Sequence, residues 1–288
     1  GILAADGNTI SNDGSINAAQ DGIEVGADNT VTNSATATID AGANGILATG
    51  DTNIITNAGT IGSTASVGDD GINALTSNNT VTNSGTIAAT NDGIQVGSTN
   101  TVSNESAGSI TSDVGDGILA ADGNTISNDG SINASNDGIQ VGSIDNEVTN
   151  ASTGSIIADS GDGILAGDDN AGILNQGSIV ATLGDGIEVG ANNVVTNESG
   201  ATIDAGANGI LATDAGNMIT NAGTIGDSTA SVGLDGINAE TASNTITNSG
   251  SINASNDGIQ VGSTDNEVIN TSTGSIIADS GDGILAGD

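Results

Sequence analysis

The sequence contains no Lys, Arg or His, so its 36 acidic side chains give a formal net charge of −36 over 288 residues. Nucleic acids and anionic membrane surfaces are bound by cationic side chains that displace counterions, so both classes of partner are excluded. Phe, Tyr, Trp, Pro and Cys are also absent, which excludes disulfides and thiolate metal sites. No apolar run approaches the roughly 18 residues of a membrane-spanning helix, so we expect no membrane insertion by this segment.

The large aliphatic residues are few but periodic. Ile, Val and Leu make up 62 of the 288 residues, and with this net charge such a content borders on that of disordered chains. A Gly-Ile dipeptide nevertheless opens a repeat every 23.5 residues on average, at positions 1, 22, 45, 71, 93, 117, 138, 163, 186, 209, 236, 258 and 283. This period predicts stacked repeats that share one core.

Each repeat has the same three-part pattern. The Gly-Ile run is followed by a segment such as 79–83, NTVTN, and then by a Ser/Thr-Ile pair such as Thr86-Ile87. Apolar residues alternate within these runs, which is typical of half-buried strands, and no helical spacing recurs. We therefore predict an all-β fold, a parallel β-solenoid of about twelve coils with three short strands per coil.

Residues 1–288 are expected to form a single continuous solenoid array without caps. An uncapped solenoid exposes strand edges that pair readily with other strands. We therefore expect the array to continue, either within a longer polypeptide or by end-to-end association of copies.

Two residues of the repeat are predicted to be structural. The glycine before each Ile is expected to supply a positive φ at a corner. An asparagine two positions after the central apolar residue of the second strand faces inward, where a polar group must be hydrogen-bonded. Stacked side-chain amides meet this demand, so we predict an asparagine ladder. Its members are Asn12, Asn33, Asn57, Asn83, Asn104, Asn128, Asn150, Asn175, Asn197, Asn221, Asn248 and Asn270.

The phrases NTVTNSGTI (79–87), NTITNSGSI (244–252) and MITNAGTI (218–225) carry a family resemblance. They resemble the passenger repeats of Gram-negative autotransporters and haemagglutinin-like adhesins. The resemblance covers essentially the whole chain and implies a right-handed β-solenoid at the bacterial cell surface. It is specific for architecture and says little about an individual activity.

An acidic residue precedes Gly-Ile in most repeats and suggests a cation-binding row. Like charges stacked about 4.8 Å apart repel each other, and calcium is suited to a row of carboxylate and carbonyl oxygens. The alternative is a diffuse atmosphere of counterions, because neither a calcium-binding nonapeptide nor an EF-hand loop is present. The predicted ligands are Asp21, Asp70, Asp92, Asp116, Asp137, Asp162, Asp185, Asp235, Asp257 and Asp282, interrupted by Asn44 and Asn208.

Two outward rows suggest contact surfaces. Leucines of the first strand predict lateral packing between copies, since an exposed apolar stripe often marks an interface. They are Leu3, Leu47, Leu119, Leu165, Leu211 and Leu285. The Thr-x-Thr pattern of the second strand raises ice binding as a minor alternative, although Glu147, Leu174, Met218, Glu267 and Ile269 break its rows.

We expect the chain to be a structural filament or spacer at an extracellular bacterial surface, with self-association and divalent cations as its partners. The alternative is the stalk of an adhesin whose binding tip lies outside this segment. We expect no enzyme, because the carboxylates recur in every coil instead of gathering in one cleft.

Overall fold

The computed structural model describes residues 1–227 and 231–287, and these residues contain β-strands, turns and bends but no helix. They form two compact units, Gly1–Val141 and Gly142–Asp288. In both units three parallel sheets, named A, B and C, stack coil upon coil. The predicted all-β solenoid of about twelve coils with three strands per coil is thereby confirmed.

In the first unit, sheet A contains the strands that follow the Gly-Ile glycines, and sheets B and C contain the second and third strands of each coil. Sheet A is formed by β1 (Ile2–Ala4), β4 (Ile23–Val25), β7 (Ile46–Ala48), β10 (Ile72–Ala74), β13 (Ile94–Val96), β16 (Ile118–Ala120) and β19 (Ile139–Val141). Sheet B is formed by β2 (Thr9–Asn12), β5 (Thr30–Asn33), β8 (Ile54–Asn57), β11 (Thr80–Asn83), β14 (Thr101–Asn104) and β17 (Thr125–Asn128). Sheet C is formed by β3 (Ser15–Ala18), β6 (Thr38–Ala41), β9 (Thr60–Ile61), β12 (Thr86–Ala89), β15 (Ser109–Ser112) and β18 (Ser131–Ala134).

The second unit repeats this order. Sheet A is formed by β22 (Ile164–Ala166), β25 (Ile187–Val189), β28 (Ile210–Ala212), β31 (Ile237–Ala239), β34 (Ile259–Val261) and β37 (Ile284–Ala286). Sheet B is formed by β20 (Glu147–Asn150), β23 (Gly172–Asn175), β26 (Val194–Asn197), β29 (Met218–Asn221), β32 (Thr245–Asn248) and β35 (Glu267–Asn270). Sheet C is formed by β21 (Ser155–Ala158), β24 (Ser178–Ala181), β27 (Thr202–Ala205), β30 (Thr224–Ile225), β33 (Ser251–Ala254) and β36 (Ser275–Ala278).

The core of each unit consists of stacked columns of aliphatic side chains, and a strand of sheet A contributes two of them, such as Ile23 and Val25. Strand pairing is in register, so that Ile23 lies beside Ile46, and Val81 beside Val102. In the interior coils these Ile and Val side chains are fully buried, as Ile39 shows. Period-two alternation therefore places one narrow apolar stripe of every strand inside and the polar stripe outside.

The glycine before each Ile has a different role from the predicted one. The expectation of a positive φ is wrong, because the positive-φ glycines of the described chain are Gly7, Gly62, Gly123, Gly200, Gly216 and Gly226. A Cβ atom at Gly22 would instead lie 2.3 Å from the Cγ2 of Ile39 and 2.5 Å from the carbonyl oxygen of Gly45. Only a residue without a side chain fits at this close approach between sheet C and the next coil.

One coil of the first unit carries an insertion after β9. Gly62 adopts a φ of 77°, which turns the chain outward before Val67 returns to bridge with Ala89. The carboxylate of Asp40 accepts hydrogen bonds from the N–H and the hydroxyl of Ser63 at 2.6 and 2.7 Å, and from the N–H of Thr64. Burial acts to raise the pKa of Asp40, but these hydrogen bonds outweigh it and lower the pKa.

Candidate functional site

The asparagines that end the sheet B strands form a ladder in the turn between sheets B and C, which we name the B–C ladder. Asn33 donates from Nδ2 to Oδ1 of Asn57 at 2.8 Å, and Asn57 donates in the same way to Asn83 at 2.8 Å. In the second unit Asn175 donates to Asn197 at 2.8 Å. Asn57 also reaches the backbone carbonyl of Thr86 at 3.1 Å. These amides lie in the core of each unit, so the predicted hydrogen-bonded stacking is present.

A second ladder lies in the turn between sheets A and B, and the sequence analysis missed it. The backbone N–H of Asn53 donates to Oδ1 of Asn79 at 2.8 Å, and that of Asn79 donates to Oδ1 of Asn100 at 2.7 Å. The residue before each of these asparagines has a positive φ, for example 59° at Thr99. The members of this A–B ladder are Asn8, Asn29, Asn53, Asn79, Asn100 and Asn124, and in the second unit Asn146, Asn170, Asn193, Asn217, Asn244 and Asn266. The signal was available, because an asparagine occupies this position in all twelve coils.

The residues predicted to bind cations form a third ladder, the C–A ladder, in the turn between sheets C and A. The Oδ1 atom of Asp70 accepts the backbone N–H of Asp92 at 3.0 Å, and Oδ1 of Asp92 accepts that of Asp116 at 2.9 Å. Asn44 and Asn208 take the same place in the ladder, each donating from Nδ2 to an aspartate of the preceding coil at 2.9 Å. Within each unit, one carboxylate oxygen of every ladder aspartate that is followed by another coil of that unit is thus occupied by the backbone of that coil.

Most of these carboxylates are buried and not set along an open edge. Asp70, Asp92, Asp116, Asp137, Asp185, Asp235 and Asp257 are at most 7% exposed, whereas Asp21 and Asp162 are half-buried and Asp282 is exposed. Burial, opposed by the hydrogen bond from the N–H of Asp116 and helped by the charges of Asp116, Asp70 and Asp69, raises the pKa of Asp92 to about 6. Burial likewise raises the pKa of Asp116 and of Asp185. Burial therefore makes these carboxylates costly to ionise, and the hydrogen bonds of the ladder offset this cost only partly.

One acidic cluster stands out along the C–A ladder. Carboxylate oxygens of Asp162, Asp185 and Glu188 lie within 4.8 Å of one another, and over residues 1–227 and 231–287 no other such group of three was found. Burial first, and then the charges of Glu188 and Asp185, raise the pKa of Asp162 to about 6. Three clustered carboxylate oxygens are ligands that calcium accepts. Asp162 and Asp185 were predicted as cation ligands, whereas the sequence analysis did not single out Glu188.

The leucines predicted to form a lateral stripe do not lie next to one another. Leu47 lies between Glu24 and Asn73, and Leu119 lies between Gln95 and Gln140. In the second unit Leu165 and Leu211 flank Glu188, and Leu285 pairs with Gln260. Leu3 is 77% exposed, whereas the other five are half-buried by their polar neighbours. Lateral packing through these leucines stays a prediction, and its apolar surface is interrupted at each coil.

A search for membrane spans found no helix of sufficient length and hydropathy among the described residues. A scan against protein-family models, a search of curated proteins and a search of solved structures each gave no match to the chain.

Proposed function

We propose that this chain is a structural segment of an extracellular surface filament or spacer, extended by stacking of its β-solenoid coils on further coils. The observation that carries the proposal is the repetition of all three ladders and all three sheets from coil to coil. Any coil presents the pairing groups that the next one needs, so the same surface serves for folding and for association. Further coils can come from the same polypeptide or from a second copy.

The outermost described coils leave these pairing groups open. Nδ2 of Asn270 donates to the carbonyl of Gly274 at 3.4 Å, and Asn270 is exposed, whereas the equivalent Asn248 is fully buried. Ile276 of β36 is likewise half-buried, whereas the equivalent Ile252 of β33 is fully buried. A coil stacked on β35–β37 would bury these groups and supply an acceptor for Asn270.

End-to-end stacking is tested with a matched pair of charge substitutions in β36. Ile276→Asp adds an inward carboxylate that a further coil would bury without a partner, which costs several kcal/mol. Ile277→Asp adds the same charge to the same strand on the exposed outer face. We expect the wild-type chain and Ile277→Asp to form end-to-end filaments in electron micrographs, and Ile276→Asp to remain as single particles. A wild-type chain that remains monomeric at high concentration would contradict the proposal, and so would filaments formed by Ile276→Asp.

Calcium is the cation proposed to stabilise these coils. A divalent ion between Asp162, Asp185 and Glu188 would replace carboxylate repulsion by attraction at the C–A ladder. Millimolar calcium should therefore raise the Tm of the wild-type chain relative to chelator, and Glu188→Gln should remove most of this increase. Glu24→Gln is the matched control, because Glu24 occupies the equivalent outer position of sheet A in the first unit. An unchanged Tm between chelator and calcium would rule out an ordered site.

A further inference from the structure

The outer face of sheet B in the first unit is a nearly uniform surface of hydroxyl groups. Each of its six strands presents two outward side chains, and eleven of these twelve positions hold Thr or Ser. One row contains Thr9, Thr30, Ile54, Thr80, Thr101 and Thr125, and the other contains Ser11, Thr32, Thr56, Thr82, Ser103 and Ser127. We name these twelve residues the hydroxyl face.

In-register pairing turns the two rows into a regular grid. Thr80 lies beside Thr101, and Thr82 beside Ser103, and the same pairing relates every neighbouring pair of strands from β2 to β17. Neighbouring strands are about 4.8 Å apart, and residues two apart along a strand are separated by about 6.6 Å. The backbone hydrogen bonds of the sheet hold this grid rigid, so its hydroxyl groups are positioned before any ligand arrives.

The hydroxyl face carries no charge. None of the 36 acidic side chains of the chain lies on it, although acidic residues occupy outer positions elsewhere, such as Glu24 of sheet A and Asp40 of sheet C. The interruptions noted in the sequence, Glu147, Leu174, Met218, Glu267 and Ile269, all belong to sheet B of the second unit. The Thr-x-Thr array of the first unit is therefore interrupted only at Ile54.

At the β2 edge of the face Ser11 donates from Oγ to the carboxylate of Asp13 at 3.5 Å, but hydroxyl groups in the interior of the face are free to bind. Within the described part of the chain, the side chains of Thr30, Thr32, Thr80, Thr82 and Thr101 make no hydrogen bond to the protein. Each hydroxyl offers one donor and two acceptor positions, and each Thr adds a methyl group beside them. A water that bridges two such groups is held nearly as well as by a direct hydrogen bond, and ordering it costs little entropy.

The size and chemistry of the face decide between its occupants. Six strands of four residues cover about 400 Å², half of the roughly 800 Å² per partner that a stable protein interface needs. Neutral polysaccharides are usually bound by stacking on aromatic side chains, which this chain lacks. The surface of ice is an uncharged and regular array of water molecules, so it suits a face that has no charge, a regular grid and free hydroxyl groups. An ice crystal is also much larger than the face, so the area available for contact is not limiting. We propose that the hydroxyl face binds the surface of ice.

The test measures thermal hysteresis and ice-crystal shape for the full chain and two variants at equal concentration. The double variant Thr80→Glu/Thr101→Glu places charges at the centre of the face, and the chain already accommodates Glu147 and Glu267 at the equivalent strand position. The control, Thr111→Glu, adds a charge to the outer face of sheet C, where Asp40 and Asp204 occupy the equivalent position. Circular dichroism verifies that all three chains are folded.

We expect hysteresis and faceted crystals with the wild-type chain and with Thr111→Glu, and loss of both in the double variant. A folded wild-type chain without hysteresis or crystal shaping overturns the proposal, as does hysteresis that survives in the double variant. Sedimentation of the same samples tests the other possible occupant of the face, which is a second copy of the chain. If the double variant abolishes a dimer of the wild-type chain and hysteresis is absent, the face is a contact between copies and the ice proposal is wrong. Neither result bears on end-to-end stacking, which depends on β35–β37.

Discussion

Replacing Asp92 by Asn should stabilise the folded chain at neutral pH. Asp92 is 4% exposed and lies in the C–A ladder between Asp70 and Asp116, and its pKa is raised to about 6 from 3.8. A pKa raised from 3.8 to about 6 means that folding disfavours the charged carboxylate over the neutral carboxyl group by about 3 kcal/mol. An amide carries no charge and avoids this cost, so the expected gain at pH 7 is up to about 3 kcal/mol in the free energy of unfolding.

The chain itself shows that an amide fits the ladder. Oδ1 of Asn44 accepts the N–H of Asp70 at 3.3 Å, and Nδ2 of Asn44 donates to Asp21 at 2.9 Å. Asn208 makes the same two contacts between Asp185 and Asp235. An asparagine at position 92 would therefore keep the hydrogen bond to Asp116 and add a donor towards Asp70.

The pH dependence gives the sharper measurement. Because the pKa of Asp92 is raised on folding, the folded state keeps a proton between about pH 4 and pH 6 that the unfolded state has lost. The stability contributed by this proton is present below about pH 4 and is lost as the pH rises through about 6. The difference in unfolding free energy between Asp92→Asn and the wild-type chain should therefore grow from near zero at pH 4 to its maximum above pH 6.

Urea unfolding followed by circular dichroism from pH 4 to pH 8 measures this difference, provided that both chains unfold reversibly. Asp214→Asn is the control, because Asp214 is exposed in the turn after β28. We expect the control to match the wild-type chain at every pH. A constant difference between Asp92→Asn and the wild-type chain, or a destabilised variant at pH 7, would refute the argument that burial in the C–A ladder makes the Asp92 carboxylate costly to ionise.

Two further predictions concern the A–B ladder. Thr99 has a φ of 59°, which costs a β-branched residue roughly 1–2 kcal/mol, and Gly123 takes the same place in the next coil. Thr99→Gly should therefore raise the free energy of unfolding measured with urea by about 0.5–1 kcal/mol, after the greater freedom of the unfolded glycine is included, whereas Thr101→Gly in the adjacent strand should lower it. Asn79→Ala removes the acceptor of the buried Asn53 N–H and should destabilise the chain by about 1–3 kcal/mol, against less than about 0.5 kcal/mol for Asn133→Ala on the outer face of sheet C. Equal losses from these two alanine substitutions would mean that the ladder hydrogen bonds contribute nothing specific.

The solenoid could be predicted from the sequence because its core follows a strict rule. Inward residues such as Ile23 and Ile39 recur with a period of two within strands and of one coil between strands, and both are fully buried. The B–C ladder was predictable for the same reason, since parity places Asn57 inside, where an amide must find partners. The polarity of a residue and its place in the repeat are together enough to identify the residues that a narrow core holds in one arrangement.

The remaining features depend on distances that a repeat pattern does not contain. A glycine that repeats in every coil can be required by a positive φ or by a close approach of a neighbouring group, and the sequence pattern is the same in both cases. At Gly22 the coordinates show that the close approach of Ile39 is the reason. Asp92 was predicted as a cation ligand from its place before Gly-Ile, yet one of its carboxylate oxygens accepts the backbone N–H of Asp116 within the turn. Glu188 joins Asp162 and Asp185 because its strand begins immediately after the turn, a proximity that a row-by-row analysis overlooks.

The B–C ladder gives the coils a polarity. Within each unit, every ladder amide that is followed by another coil of that unit donates to the asparagine of that coil, as Asn33 does to Asn57 and Asn221 does to Asn248. The dipoles of these side chains add head to tail, and hydrogen bonds in such a series strengthen one another. One end of the series therefore offers a donor and the other an acceptor. Two copies joined by like ends would oppose donor to donor or acceptor to acceptor, so any filament of this chain should grow with all of its subunits pointing in one direction.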